Sequence, residues 1–433
     1  MKSHRKPHID NPTGRLTPSV PGLDSRYPSS ILSIVTDRPD NSDDPKAFYG
    51  RLKLLDRSMC LFVWLVSLFR KSTLCEGRDR IGVIKLAAMG DALCLLPSLR
   101  ELKKAYPGSK VTWLTTQRIN PELFEGLPFV DEFFVITPSA RGLLDLLSFL
   151  WNNPMDIAID FDQYYLSSEL IAYLWSRGDS VGYRTPLKGR SFALPIEYDP
   201  EKNEKLVFYD PVLALQGNLD QRAALYNEFS PYLPEIINGY VPPPNLQRLF
   251  GSIRKDTPVV AIYPGAGRGS LIRRWGIEKS IAVAKKCIEA GSVVIFLGGK
   301  DEGGYKEVIR REMSSCSGWH DLIGSCKLRD TAYVFSQVSA VISNDGGLLH
   351  FCDLLGAPCV SIFGPGMGIK WAPMAGGILV ERNELNCKPC IIQYLAEISD
   401  VCKMGTRECL EGITPEEVFD ACQELLKTSR LRH

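Results

Sequence analysis

The chain has 433 residues, 45% of them hydrophobic, which is long enough for two domains with ordinary cores. Lys and Arg total 51 against 50 Asp and Glu, and the resulting net charge of +1 excludes the global basic field that is typical of nucleic-acid-binding proteins. Any anionic ligand must therefore be held by a local site.

The first 45 residues are predicted to form a flexible tail. They are rich in Pro, Ser, Gly and charged residues, and they lack the apolar run of a secretory signal. Without an export signal we expect a reducing, cytoplasmic environment. The 13 cysteines are then thiols or metal ligands and not a disulfide framework.

Residues 46–75 contain an apolar run from Met59 to Phe69, which is followed by Arg70 and Lys71. The run is shorter than the roughly 20 residues that span a bilayer core. Its aromatic side chains and basic flank are typical of a helix that lies in a membrane interface, but a helix packed on the protein has the same pattern. We expect one or the other, and the first alternative predicts peripheral attachment to the inner face of the cell membrane.

Two α/β domains are predicted after this segment. Residues 76–245 alternate short β-rich runs with amphipathic stretches, and residues 246–433 repeat the pattern after the proline-rich hinge YVPPPNLQRL. The stretch between residues 186 and 245 is poorly periodic, so we assign it to the end of the first domain and a linker. The chain ends in a predicted helix, TPEEVFDACQELLKT, which has a Thr cap and Pro at its first position.

The repeated βα units predict two doubly wound parallel sheets. Ligands of such open sheets bind at the carboxyl ends of the strands, so we expect the active site in a cleft between the domains. The predicted strands read IGVIKL, KVTWLTT, EFFVI and DIAIDF in the first domain, and PVVAIYPG, SVVIFLGG, SAVISND and PCVSIFGPG in the second.

The clearest motif of the second domain is ISNDGGLLHFCDLLGAP, a strand followed by Asp345, Gly346, Gly347 and a helix that contains His350. Two glycines at a helix start allow a ligand to approach the free N–H groups, and these groups favour a phosphate. The alternative is that Asp345 only caps the helix.

Two further loops follow strands of the second domain. In YPGAGRGSLIRRWG, which contains Gly265 and Gly267, either Arg273 or Arg274 can bind phosphate oxygens, although paired arginines are often solvated. The loop FLGGKDE supplies candidates for nucleotide contacts, namely Gly298, Gly299, Lys300, Asp301 and Glu302.

In the first domain, GVIKLAAMGDALCLLPSL reads as a strand, a small-residue turn and a helix. Asp91 in the turn is a candidate general base, because a sugar hydroxyl needs a nearby carboxylate to take its proton. The alternative is that Asp91 caps the helix. Pro97 is best tolerated in a first helical turn, so we expect the helix to start after Asp91 and to leave its carboxylate free.

Taken in order from about Arg80 to the C-terminus, these motifs resemble glycosyltransferase family 9, the ADP-heptose:lipopolysaccharide heptosyltransferases. The resemblance implies an α/β GT-B fold, two Rossmann-like domains facing a cleft, with the acceptor on the first domain and the nucleotide sugar on the second. It also implies transfer with inversion and no metal in catalysis, with Asp91 as general base and Arg273 at the diphosphate. Asp345, Gly347 and His350 match the family's donor-binding element, whereas Gly346 replaces a frequent Thr or Ser.

The resemblance makes ADP-heptose the expected donor and a lipid-linked saccharide the expected acceptor. Three residues of the first domain are candidates for acceptor contacts: Gly90, Asp160 and Asp162. The Asp-Phe-Asp run can also be a strand-end turn, or a divalent-metal site as in transferases of the other common fold. Alternative functions are a nucleotide-sugar epimerase, a protein-directed heptosyltransferase and a non-catalytic sugar-nucleotide-binding protein.

Four cysteines near the C-terminus are a candidate structural metal site, Cys387 and Cys390 as C-x-x-C followed by Cys402 and Cys409. Four soft ligands are what a tetrahedral Zn or Fe site requires. Reduced, unligated thiols are the alternative. The resemblance adds that longer family members have a Cys-rich insert here, which holds iron in some protein-directed heptosyltransferases.

Overall fold

The computed structural model of the chain describes residue 56 and residues 59–71, 73–116, 119, 123–124, 126–137, 139–267 and 271–430. The tail predicted over residues 1–45 and the first part of the segment predicted over 46–75 lie outside this range.

The first domain is built on a six-stranded parallel sheet in the order β3-β2-β1-β4-β5-β6. The order reverses between β1 and β4, which opens a crevice at the carboxyl ends of these two strands. The strands are β1 (Arg80–Ile84), β2 (Lys110–Thr116), β3 (Glu132–Ile136), β4 (Ile157–Asp160), β5 (Ser180–Arg184) and β6 (Leu194–Glu197).

Helices cover both faces of this sheet. Alternate strand residues point to opposite faces, so Ile81 and Val83 share a core with α2 whereas Ile84 shares a core with α3 and α4. Helix α5 packs on α2, and α1 and α3 both pack on α4. The helices are α1 (Cys60–Ser67), α2 (Met89–Ala105), α3 (Ala140–Asn152), α4 (Leu166–Trp175), α5 (Glu204–Leu215) and α6 (Arg222–Glu228).

The second domain repeats the architecture, with a parallel sheet in the order β12-β11-β10-β7-β8-β9. Two sheets of this kind confirm the predicted α/β fold with two doubly wound domains. The strands are β7 (Val259–Tyr263), β8 (Val293–Phe296), β9 (Trp319–Asp321), β10 (Ala340–Asn344), β11 (Cys359–Phe363) and β12 (Gly377–Glu381), followed by the short hairpin β13 (Ile391–Ile392) and β14 (Glu397–Ile398). The helices are α7 (Pro244–Ser252), α8 (Ile277–Glu289), α9 (Tyr305–Glu312), α10 (Leu328–Gln337), α11 (Gly347–Leu354), α12 (Gly368–Trp371), α13 (Glu408–Glu411) and α14 (Pro415–Arg430).

The C-terminal helix α14 begins as its sequence predicts. The Thr414 hydroxyl accepts a hydrogen bond from the N–H of Glu417 at 3.2 Å, and the Glu417 carboxylate accepts one from the N–H of Thr414 at 2.8 Å. This reciprocal capping box satisfies two N–H groups at the helix start. The helix then packs on α8 and on β10, β11 and β12, and so closes one face of the second sheet.

The two domains are held together by buried charge pairs. Helix α11 of the second domain packs on α2 of the first. Beside this contact, Lys205 Nζ lies 2.9 Å from Asp353 Oδ2, and Lys370 Nζ lies 2.8 Å from Glu204 Oε2. All four side chains are almost completely excluded from solvent. Each pair joins α5 to the second domain. In the first pair α5 contributes the lysine, and in the second it contributes the carboxylate.

The stretch predicted as a domain end and linker is more regular than its sequence indicates. It contains β6 and α5, and the domain boundary predicted after residue 245 falls inside α7. Helix α5 buries Glu204, Lys205 and Asp210 along with its apolar residues. These charged side chains at buried positions obscure the apolar periodicity by which a helix is recognised in sequence.

Helix α1 packs on the protein along one side and is exposed along the other. It packs on α4 through Val63, whereas Leu61, Phe62, Trp64 and Leu65 are exposed. The chain around it is tied down, because the Asp56 carboxylate accepts hydrogen bonds from two N–H groups at the start of α4. Within the described residues, no helix has both the length and the apolar character that crossing a membrane requires.

Candidate active site

A buried lysine organises the first-domain side of the cleft. Lys85 follows β1, and its Nζ donates to Asp162 Oδ1 at 2.9 Å and to Gln163 Oε1 at 3.2 Å. The same Nζ lies 3.1 Å from Asp91 Oδ2. Burial works against the charged ammonium, but Asp162 and Asp91 outweigh it and hold the pKa of Lys85 above its ordinary value. Three acceptors thus match the three N–H groups of the ammonium.

Asp91 neither caps its helix nor stands free. Helix α2 starts at Met89, with Ala88 as its N-cap, and it continues through Pro97. The expectation that the helix starts after Asp91 is therefore wrong, because a long buried apolar face on both sides of Pro97 holds the helix together there. The Asp91 side chain is 21% exposed and pairs with Lys85. Burial raises the pKa of Asp91, and Lys85 opposes that shift.

Asp160 and Asp162 lie beneath the cleft and not on its surface. Asp160 is fully buried against Lys188 and Ser168, and burial raises the pKa of Asp160 to about 6 although Lys188 opposes the shift. Asp162 is also buried and accepts from Lys85 and from the N–H of Leu86. The predicted direct contact of these two carboxylates with an acceptor does not fit this geometry, because their oxygens are buried and already hydrogen-bonded.

Gly90 brings the two domains into contact at the cleft. A Cβ atom at this position would lie 3.0 Å from Cδ2 of His350 and 3.5 Å from Cα of Gly347. The first turn of α2 therefore faces the first turn of α11. The amino-terminal ends of two helices, each with a partial positive charge, meet at this point.

The second-domain side of the cleft has unsatisfied polar atoms. Arg273 Nη1 lies 3.5 Å from Asp345 Oδ1. Within the described residues, Arg273 Nε, Asp345 Oδ2 and His350 Nδ1 are buried and have no hydrogen-bond partner. Buried polar groups are almost always paired in folded proteins, so three unpaired atoms from three segments indicate the place of a polar ligand.

Arg274 and Glu302 support the neighbouring loops. Arg274 donates to the Tyr305 hydroxyl at 3.0 Å and to Glu302 Oε1 at 3.3 Å. Glu302 also accepts from the N–H of Gly299 at 2.9 Å. A Cβ at Gly265 would lie only 2.3 Å from Glu302 Oε1, so this close approach requires glycine. Arg274 is thus held through its terminal nitrogens, although its Nε, like that of Arg273, has no hydrogen-bond partner.

The loops after β7, β8 and β10 lie side by side. Asn344 donates to the carbonyl oxygens of Pro264 and Gly265, and this joins two of the loops. A Cβ at Gly346 would lie 3.1 Å from Cα of Ala266. Gly267 has φ +79°, which favours glycine, and residues 268–270 after it lie outside the described residues. Three further candidates line the loop after β8: Gly298, Lys300 and Asp301.

His350 is neutral at physiological pH. It is buried, and burial together with the charges of Lys205 and Arg273 holds the pKa of its imidazole well below the ordinary value. Its ring lies 5.6 Å from that of Trp371. His350 can therefore donate or accept a hydrogen bond, but it adds no positive charge to the cleft.

The four candidate metal ligands lie near one another. Cys390 Sγ lies 3.1 Å from the carbonyl oxygen of Cys387. Burial raises the pKa of both Cys390 and Cys409, and the neighbouring thiols of the same set, including Cys402, raise them further. In the described part of the chain, no three Cys, His, Asp or Glu side chains take up a metal-binding arrangement. The donor set suits a thiophilic metal in its chemistry, but the four thiols are not arranged around a common point.

Comparisons with known proteins agree on one family. The model of glycosyltransferase family 9 (heptosyltransferase) matches residues 208–396. Lipopolysaccharide heptosyltransferase 2 of Salmonella typhimurium is 27% identical over 177 residues, which are 40% of this chain and 49% of that protein. Over these residues the chain is similar to glycosyltransferase family 9.

Solved structures of family 9 proteins share the fold. The family 9 glycosyltransferase of Veillonella parvula has a TM-score of 0.64 at 19% identity and covers 82% of this chain and 100% of that one. The Escherichia coli ADP-heptose lps heptosyltransferase II has a TM-score of 0.59 at 20% identity and covers 81% and 99%. The GT-B architecture expected of a family 9 member is thus present. The sequence match spans about half of the curated relative, so the activity of this chain is proposed below.

Several residues of the cleft are not among those that the sequence singles out. Lys85, Gln163 and Glu204 form a hydrogen-bonded group under Asp91. A signal for Lys85 exists, since it is a lone charge in the apolar run GVIKLAA. Sequence gives no comparable signal for Glu204, because many charged residues surround it in DPEKNEK.

Replacement of Gly90 by alanine tests the contact between the two helix starts. The added methyl group meets the His350 ring, so we expect Gly90→Ala to lower the free energy of unfolding by about 1–3 kcal/mol, as overpacking does. Gly251→Ala is the matched control, because Gly251 is also helical but a Cβ there meets no atom within 4 Å. The control is expected to be neutral or stabilising by about 0.5–1 kcal/mol. Urea denaturation measures both, and equal effects would contradict the contact.

Proposed function

We propose that this protein is an inverting glycosyltransferase that transfers heptose from ADP-heptose to a lipopolysaccharide-type saccharide. The observation that supports it most is the pairing of two half-sites across one cleft. A partly exposed carboxylate, Asp91, stands at the start of α2, and the unsatisfied groups of Arg273 and Asp345 stand beside the start of α11. Gly90 and Gly347 bring the two helix starts into contact.

In the proposed reaction Asp91 is the general base. The acceptor hydroxyl oxygen attacks the anomeric carbon, its proton passes to the Asp91 carboxylate, and the bond from that carbon to the β-phosphate oxygen breaks. One displacement inverts the anomeric configuration. Burial raises the pKa of Asp91, which makes its carboxylate a better proton acceptor, and Lys85 keeps it ionised. Activity should therefore fall as pH drops through that raised pKa.

In the proposed reaction the second domain binds the departing diphosphate. Arg273 offers an unsatisfied guanidinium N–H, and the free N–H groups at the start of α11 favour an anion. Negative charge develops on the leaving oxygen, so these groups stabilise the transition state without a metal. Gly346 and Gly347 allow the phosphate to approach the backbone, and neutral His350 has a free ring nitrogen for one hydrogen bond.

In the donor site the loop after β8 has a supporting and a contacting part. Glu302 is already bonded to Arg274 and Gly299, so it acts through the shape of the loop. Exposed Lys300 and Asp301, together with Gly298, are the proposed contacts to the nucleoside. The names of the relatives support ADP-heptose as donor and a lipopolysaccharide acceptor. For the acceptor we propose Gly90 as a direct contact. Asp160 and Asp162 act indirectly, because they hold Lys188 and Lys85 respectively.

The variant Asp91→Asn tests the assigned base. It removes the proton acceptor but keeps the size of the side chain, so we expect transfer from ADP-heptose to heptose-deficient lipopolysaccharide to fall by about 10²–10⁴-fold. Binding of ADP, followed by calorimetry, should stay within about threefold because Asp91 is on the opposite side of the cleft. The matched control is Asp256→Asn, in the exposed turn before β7. Full activity of the folded Asp91→Asn variant would contradict the assignment, and conversion of donor without acceptor would indicate an epimerase.

We further propose that Cys387, Cys390, Cys402 and Cys409 hold one structural Zn or Fe ion. The ion would crosslink the segment between β12 and α14, and no step of the reaction passes through it. Elemental analysis of protein purified without chelator should give about one metal ion per chain, and Cys387→Ser with Cys390→Ser should abolish it. Cys316→Ser is the control, since Cys316 lies outside the set. A metal content far below one ion per chain in the wild type would contradict the site.

We propose that the protein acts at a membrane surface. Exposed apolar side chains are concentrated on α1 and α3, the two helices that pack on α4. On α1 and just after it they are Leu61, Phe62, Trp64, Leu65, Leu68 and Phe69, and on α3 they are Leu143, Leu144, Leu147 and Trp151. Exposed Arg70, Arg141 and Arg177 stand near these helices. Aromatic and aliphatic side chains with arginines at the edge suit an anionic bilayer surface.

Sedimentation with vesicles that contain phosphatidylglycerol tests this surface. The double variant Phe69→Ser and Trp151→Ser removes one strongly exposed side chain from each helix, 74% and 83% exposed. We expect the bound fraction to fall at least about fivefold, because each buried aromatic ring contributes roughly 1.5–3 kcal/mol. Val241→Ser is the control, as Val241 is equally exposed but distant in sequence from both helices. Unchanged sedimentation of the double variant would rule this surface out.

A further inference from the structure

A continuous chain of polar contacts runs from the proposed base to the other domain. Lys85 joins Asp91 to Gln163, as described above. Gln163 Nε2 donates to Glu204 Oε1 at 2.6 Å, and Lys370 Nζ lies 2.8 Å from Glu204 Oε2. Lys370 is in α12 of the second domain, and the other members belong to the first. This series of side-chain contacts therefore crosses the domain boundary.

The side-chain amide of Gln163 has only one orientation that satisfies both neighbours. The Lys85 ammonium can only donate, so it must meet the amide oxygen. The Glu204 carboxylate can only accept, so it must meet the amide nitrogen. Loss of either neighbour frees the amide to turn its N–H groups toward Lys85, which would displace the ammonium from Asp91.

Glu204 is the junction of this chain. It is fully buried, and one oxygen is used by Gln163 while the other accepts from the Tyr198 hydroxyl at 2.8 Å and meets Lys370. Lys370 also donates to the carbonyl oxygen of Asp199 at 2.9 Å. A buried carboxylate without a cation is costly, so Glu204 holds its charge and geometry only while Lys370 is against it.

We infer that Glu204 is a positioning residue that makes the Lys85–Asp91 geometry depend on contact between the two domains. The inference rests on the proposed role of Asp91 as general base. In the closed arrangement Lys370 fixes Glu204, Glu204 fixes the Gln163 amide, and the amide with Asp162 holds Lys85 beside Asp91. When the domains separate, Lys370 leaves and the base loses its fixed partner. Proton transfer is thereby restricted to the state in which donor and acceptor half-sites face each other.

The same interface contains a matched control. Lys205 and Asp353 form an equally buried pair between the same two domains, one residue along α5 from Glu204. Asp353 accepts from the N–H groups of Met374 and Ala375, so its further contacts lie in the second domain. This pair stabilises the domain contact but is not part of the chain to Lys85.

The charged and titratable groups around Asp91 determine the direction in which its pKa shifts. They come from several elements: Lys85 after β1, Asp162 and Tyr164 after β4, Tyr198 after β6, Glu204 on α5, Cys94 on α2 itself and His350 on α11, against Gly90. Lys85 favours the ionised carboxylate, whereas the negative charges of Glu204 and Asp162 disfavour it. Loss of the Glu204 charge alone would therefore lower the pKa of Asp91, whereas displacement of Lys85, which has the larger influence, would raise it.

The test is the titration of Asp91 itself in the substrate-free protein. Carbon-13 NMR of aspartate carboxyls follows it, with Asp91→Asn giving the assignment. We expect Glu204→Gln to move the Asp91 midpoint up by about 0.5 pH unit or more, because the displaced Lys85 ammonium no longer favours the ionised carboxylate. Lys205→Met should leave it within about 0.2 unit while lowering the urea midpoint. Gln163→Met is a second, uncharged variant, which should also raise the midpoint because Lys85 loses a contact that holds it beside Asp91.

Two outcomes would overturn the inference. One is an Asp91 midpoint that stays in place or falls in folded Glu204→Gln or Gln163→Met, and the other is an equal shift in Lys205→Met. Activity adds a second readout: Lys370→Met should reduce kcat with ADP-heptose at least about tenfold, and its effect should not multiply with that of Gln163→Met. If the wild type transfers no heptose, the proposed function fails, but the titration still decides whether Glu204 positions Lys85.

Discussion

The buried ammonium of Lys85 is the interaction around which the cleft is arranged. A lysine without access to water must have an acceptor for each N–H, and here the acceptors come from three places, Asp162, Gln163 and Asp91. The requirement brings the end of β1, the loop after β4 and the first turn of α2 to one point. The carboxylate of Asp91 is the only one of the three that retains substantial exposure, and so it is the one that can meet a substrate.

The second domain has the complementary arrangement. Its buried acid and base, Asp345 and Arg273, are 3.5 Å apart and each keeps an unpaired atom within the described residues. Unpaired atoms of both charges beside a glycine-rich helix start are what a site for a polar ligand presents. In the proposed function one domain supplies the proton acceptor and the other the anion-binding groups, which is the division of roles that sugar transfer from a diphosphate needs.

Sequence alone predicted the sheets and the loops of the cleft, because buried parallel strands are continuous β-branched runs and ligand loops keep their glycines. Arg273, Asp345 and Asp91 were predicted for this reason. No comparable sequence pattern indicates whether a charged side chain is buried or exposed. The burial of Asp160 and Asp162, the role of Lys85 and the helix α5 with its interdomain pairs all depend on contacts between distant segments. The start of α2 predicted from Pro97 was wrong for the same reason, since tertiary packing outweighs the local preference of proline there.

We propose above that the cleft between Arg273 and Asp91 binds an ADP-activated sugar. Calorimetric titration of the full chain with ADP-heptose, UDP-glucose and GDP-mannose measures it most directly. We expect ADP-heptose to bind at least about tenfold more tightly than the other two, and Arg273→Met to weaken it by about 10–100-fold through loss of a charge-assisted hydrogen bond. Tighter binding of the UDP or GDP sugar, or binding that is indifferent to Arg273, would contradict the account.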